Sequence, residues 1–173
     1  NVVCTTQDAQ DKDVDTTSSM ATDDITAGTL ATATFATATD TPGFESVATV
    51  SFTTAGRVEV GGKVKLVMPD EAGAQHSWRF ADNKNPSVET DGTNNPPAIA
   101  FTTPGADAPT AGTVGYTVNT RTLIFTVGDN DLKQATAHVF TVTNALTPSS
   151  IVGASNVVCT TQDAQDKDVD TTS

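Results

Sequence analysis

Four aspartates stand close together near the start of the chain, Asp8, Asp11, Asp13 and Asp15, in the pattern D-x-x-D-x-D-x-D. Carboxylates at every second position could supply oxygens to Ca²⁺, a hard cation that takes six to eight of them. A calcium loop of the helix-loop-helix type is not matched, because its Gly position holds Thr16 and its bidentate Glu position holds Thr22. On extended backbone Asp11, Asp13 and Asp15 share one face without enclosing an ion. A solvated acidic linker is therefore the simpler reading, and calcium stiffening a junction the sharper one. No other cofactor is expected.

Other reactive residue types are sparse. His76 and His138 are the only histidines, and neither has a Cys or His at metal-ligand spacing. The sequence carries no nucleophile elbow, no paired-Glu signature and no Gly-rich phosphate loop, so the chain reads as not an enzyme. Trp78, beside Arg79 and Phe80 and followed by an Asn- and Pro-rich stretch, fits either a core residue or a ligand platform, with the core favoured.

The two cysteines, Cys4 and Cys159, occupy equivalent positions in a duplication: Asn1 to Ser18 reappears letter for letter as Asn156 to Ser173. The offset of 155 residues marks one period of a tandem or polymeric array. Joining Cys4 to Cys159 would leave no thiol for the following copy and make equivalent repeats inequivalent. A uniform array leaves a free thiol or an inter-chain disulfide. A small buried Cys between Val3 and Thr5 is the plainer of the two.

These residues need strands to position them. Threonine makes up 33 of 173 residues, and a chain rich in Thr and Val suits a pleated surface better than a helix. Ser46 to Thr53 puts Ala48, Val50 and Phe52 on one face. Gly61-Gly62 reads as a tight turn from the short strand at Arg57 to Val60 into one that faces Val64, Leu66 and Met68 inward. Gly28 to Phe35 reads as a single weak strand, and His76 to Phe80 and Ala98 to Thr103 as short ones. Thr113 to Val118 and Thr122 to Val127 form a hairpin, and Ala135 to Thr143 follows as a further strand. The fold expected is all-β, an antiparallel sandwich.

The run Val60-Gly61-Gly62-Lys63-Val64-Lys65-Leu66-Val67-Met68-Pro69, with Val139-Phe140-Thr141-Val142-Thr143-Asn144 much later, resembles the immunoglobulin-like repeats of large extracellular surface and filament proteins in algae and microbes. That resemblance implies an immunoglobulin-like sandwich and an extracellular or cell-surface setting. It implies no site.

A net charge of −12 falls to −9 when one copy of the motif, with four Asp and one Lys, is set aside, so each repeat is acidic in its own right. Phosphate backbones and anionic headgroups are poor partners for such a surface, and the short apolar runs exclude membrane insertion by a helix. The division expected is a junction strand and acidic linker over 1–18, a sandwich over 19–155 and the start of the next copy over 156–173. Val2, Val3, Cys4, Val157, Val158 and Cys159 become the assembly residues. The function expected is a structural subunit of an extracellular filament, stalk or adhesin shaft, whose partners are further copies, head-to-tail and side by side. The other reading is a glycan- or protein-binding module of a repetitive adhesin.

Overall fold

A computed structural model describes residues 5–16, 21–71, 76–81, 96–102 and 108–172. The strands are β1 (Thr5–Gln7), β2 (Asp13–Thr16), β3 (Gly28–Thr29), β4 (Ala31–Thr37), β5 (Glu45–Thr53), β6 (Lys63–Val67), β7 (Arg79–Phe80), β8 (Ile99–Phe101), β9 (Thr110–Thr117), β10 (Thr122–Gly128), β11 (Ala137–Leu146), β12 (Val158–Gln162) and β13 (Asp168–Thr171). No α-helix occurs among the described residues. One sheet runs β3-β13-β12-β6-β10-β9; a second runs β4-β5-β11-β7, with β8 also on β11; β1 and β2 form a hairpin by themselves.

The two large sheets are a β-sandwich closed by alternate side chains. Ala48, Val50 and Phe52 of β5 face inward, as do Val64 and Leu66 of β6, Leu123, Phe125 and Val127 of β10, and Phe140 and Val142 of β11. The period-2 pattern of each strand produces this, since successive side chains point to opposite faces. Aromatic pairs cross the gap edge to face: Phe125 meets Phe140 with ring centroids 5.1 Å apart, and Phe80 meets Tyr116 at 5.3 Å. Such pairs add about 0.5–1.5 kcal/mol each beyond burial.

Three details depart from the sequence expectation. Gly28 to Phe35 is two strands in different sheets, because Leu30 drops into the core and hands the chain from one layer to the other. The Gly61-Gly62 turn exists, with Gly61 at φ 88°, but the residues before it do not pair with β6. Val58 bridges Leu132 instead. Asp131 holds that turn by accepting the Val60 N–H at 2.8 Å and pairing with Arg57. The backbone bond first, and the guanidinium second, hold the Asp131 carboxyl below its ordinary pKa. Third, the pairing is antiparallel except between β13 and β3, which run parallel.

Candidate functional site, a slot for the repeated hairpin

The second copy of the motif lies inside the sandwich. The sequence reading set 156–173 apart as the start of another unit; here its strands β12 and β13 sit in the middle of the six-stranded sheet. β12 pairs antiparallel with β6 from Val158 opposite Val67 to Gln162 opposite Lys63, and β13 closes onto β3 through Asp170 beside Gly28 and Thr171 beside Thr29. Leu30 N–H donates to the Thr171 carbonyl at 3.0 Å, which carries the ladder to the sheet switch.

Asp170 is the centre of this arrangement. It is fully buried. Its carboxylate accepts the Ala55 N–H at 3.1 Å and the Gly56 N–H at 3.0 Å on one oxygen and 3.1 Å on the other, and its own N–H donates to Thr161 Oγ1 at 3.1 Å. A buried carboxylate held by backbone donors is costly to leave unpartnered, so it pins β13 to the turn that ends β5.

The receiving side is made of glycines. A Cβ at Gly28 would stand 2.3 Å from Asp170 Oδ1, one at Gly56 2.6 Å from Val169 Cγ1, and one at Gly62 2.7 Å from the Gln162 carbonyl oxygen. Gly28 and Gly56 leave room for the side chains of Asp170 and Val169, and Gly62 lets the backbone of β12 come close. Lys63 adds an ion pair to Asp166 at the exposed rim.

The aspartates expected to share one face do not. In the register, Thr161 faces Asp170 and Gln162 faces Asp168, so Val169 is a bulge that breaks the alternation. Asp166 sits in the turn at φ 63°, Asp168 accepts from Gln162 Nε2 at 2.9 Å, and Asp170 is the buried clamp. In the first copy Asp11 has φ 61° and Asp13 accepts from Gln7 at 2.9 Å, while Asp15, the equivalent of Asp170, is exposed. Three aspartates at one spacing thus have three separate roles, and no group of three or more potential metal ligands converges among the described residues.

Of the assembly residues, Val2, Val3 and Cys4 lie outside the described residues. Val157 packs partly buried against the core, Val158 is 43% exposed, and Cys159 is 4% exposed with a free thiol. Burial pushes the Cys159 thiol up to about 12. A disulfide from Cys159 to another chain is incompatible with a seated hairpin, since the sulfur faces the core rather than the surface.

His138 is an ordinary core residue, 2% exposed, tilted against Phe52 at 6.0 Å, with burial lowering its pKa. His76 is exposed, and its N–H donates to Ser149 Oγ at 3.0 Å. Trp78 stands edge-on to Phe35 at 5.7 Å on the margin of the core. Together with Thr34, Ser155 and Val157 these two rings line a cavity of about 760 Å³, open between β4 and the lead-in to β12. The Asn- and Pro-rich stretch after Ala81 lies outside the described residues up to Asn95.

Sequence reasoning missed Asp170, Gly28 and Gly56. The available signal was the duplication itself: when a motif recurs at the end of a single sandwich, its strands are candidates for closing that sandwich. No family model, no curated protein and no solved structure matches the chain. No helix among the described residues is long and apolar enough to cross a membrane.

Proposed function

We propose that the chain is a structural unit of an extracellular filament, stalk or adhesin shaft, built head-to-tail from identical 155-residue sandwich repeats. The observation that carries this reading is one motif in two situations. The copy at the end closes the sandwich, and in the copy at the beginning residues 5–16 fold as a hairpin whose residues 5–15 are exposed. On this reading each such hairpin closes the sandwich of the repeat that it ends. The physical unit on this reading is 19–173, with the hairpin at its end, rather than 19–155. Short links between rigid sandwiches then give every junction the same geometry, the condition for an open fibre.

Its acidic surface suits such an array, because like charge keeps neighbouring shafts apart. The immunoglobulin-like character of the sandwich belongs to the same proposal. A chain of three periods, imaged by negative-stain electron microscopy, is expected to give beads at constant spacing along a rod. Collapsed particles without periodic spacing would overturn it. The binding-module reading draws support from the open cavity beside Trp78 and Phe35. Trp78→Ala that abolishes capture on a glycan or protein array, with the beads unchanged, would favour that reading.

A further inference from the structure

We infer that the slot between β6 and β3 has two alternative occupants within one chain: the hairpin Thr160–Thr171 seated in the structure, and the hairpin Thr5–Thr16. Neither the number of repeats nor the filament reading enters this inference, since a single chain contains both hairpins and the slot.

The two hairpins are identical in sequence and also in internal construction. Thr5, Thr6 and Gln7 pair with Thr16, Asp15 and Asp13, as Thr160, Thr161 and Gln162 pair with Thr171, Asp170 and Asp168. Asp8 Oδ1 accepts the Gln10 and Lys12 N–H groups at 2.9 and 3.0 Å; Asp163 Oδ1 accepts those of Gln165 and Lys167 at 2.8 and 2.9 Å. The same bulge and left-handed turn residue occur in both. The free hairpin therefore already has the shape that the slot receives, and its Asp15 is exposed rather than committed elsewhere.

Reach is not an obstacle. A seated Thr16 would lie where Thr171 lies, beside Thr29, and the chain must then return to Gly28 through residues 17–27. Eleven residues span up to roughly 36–40 Å when extended, whereas the return crosses one strand spacing of about 4.8 Å and a couple of residues along the strand. The described part of that connection, 21–27, is exposed throughout, so moving it breaks no packing.

Inside the slot the two hairpins would make the same contacts, and the tethers decide which of them is seated. Asn156, Val157 and Val158 are copied as Asn1, Val2 and Val3, so even the lead-in to the hairpin is reproduced. What differs is the tether: Gly153 to Ser155, with the bond from Ser155 to Glu71, on one side, and residues 17–27 on the other. Both are short enough to hold a hairpin at the high effective concentration that makes occupation intramolecular.

The test is a set of three variants in the full chain, Asp15→Ala, Asp170→Ala and the double substitution, followed by thermal unfolding. Asp15→Ala should leave the Tm unchanged. Asp170→Ala should lower it by only a few degrees, because the first hairpin takes the slot. The double variant should lose on the order of 10 °C more, since neither hairpin then carries the clamp. Alkylation read by mass spectrometry on the tryptic peptide from Gln134 to Lys167 should turn Cys159 from protected to reactive in Asp170→Ala while the protein still melts cooperatively. If Asp170→Ala and the double variant melt at the same temperature, or both fail to fold, the slot has one occupant and the inference is overturned. A Tm of Asp170→Ala that rises with protein concentration would overturn it too, by assigning the replacement hairpin to a second molecule.

Discussion

The hairpin at the beginning of the chain and the hairpin at its end are a controlled comparison that the molecule makes by itself. Backbone pairing, turn and side-chain bonds coincide, yet Val14 is 62% exposed while its counterpart Val169 packs against the core. Thr161 is fully buried, and Thr6 is exposed. The shape is therefore encoded locally, by a three-residue loop ending in a left-handed Asp and by an Asp whose carboxylate closes the turn. Burial is supplied from outside the motif, by β6 and by three glycines. Local code and tertiary context, which are tangled in most strands, are separated here.

The comparison is broken most severely by removing hairpins. Residues 19–155 alone would leave the β6 edge and the Ala55 and Gly56 N–H groups without partners, and cooperative unfolding should disappear from the melting curve. Deleting only Asn1 to Ser18 should leave the Tm within a degree or two of the full chain, because the described residues 5–15 of that copy are exposed. An equal loss in the two truncated chains would mean that the first hairpin is part of the fold.

Changing the receiving side comes next. Gly62→Ala would set a Cβ 2.6 Å from Val58 Cγ1 and 2.7 Å from the Gln162 carbonyl, so backbone must shift. A loss of about 2–4 kcal/mol is expected in denaturant unfolding, as for other overpacked positions. Because the residue belongs to the slot, no choice of hairpin relieves it. A loss below about 0.5 kcal/mol would show that β12 and the Gly61-Gly62 turn are not in close contact.

Much of the sandwich was legible in the sequence, and the reason is burial on one face. Ala48, Val50 and Phe52, or Leu123, Phe125 and Val127, alternate because each strand has a wet side and a dry side, and the structure buries those residues. The slot was less legible for three physical reasons. Asp170 is a polar residue in a buried position, and its partners are backbone N–H groups of Ala55 and Gly56, which no side-chain pattern announces. The bulge at Val169 undoes the period-2 count by which Asp11, Asp13 and Asp15 were assigned to one face. Leu30 joins strands of two different sheets, and an alternating run of Thr and Ala contains no mark of that switch.

The thiol measures the same comparison through pH. Cys159 in the folded chain keeps its proton up to about 12, against 9.0 for an ordinary thiol. The unfolded state therefore loses a proton first, and stability should be unaffected below about pH 9 and fall as pH rises towards 12, by about 1.4 kcal/mol for each pH unit in that window. Cys159→Ser should remove that slope from the unfolding free energy measured between pH 9 and 11. A slope that survives the substitution would take its assignment away from Cys159.

The smallest expected effect is at the rim, where Lys63 meets Asp166 with side chains 29% and 62% exposed. Solvent and salt screen such a pair, so Lys63→Met should cost no more than about 0.5 kcal/mol, and the cost should shrink further between 0.05 and 0.5 M salt, roughly a threefold drop in screening length. The pair nonetheless distinguishes two accounts of seating. If the hairpin is held by its buried contacts, with the clamp at Asp170 and the ladder to β6, Cys159 in Lys63→Met stays as resistant to alkylation as in the unaltered chain. If the acidic turn is drawn in by charge, the substitution exposes the thiol, and salt does the same to the unaltered protein. The burial of Thr161 and Asp170 within the ladder, against the exposure of Asp166 at the turn, argues for the first account.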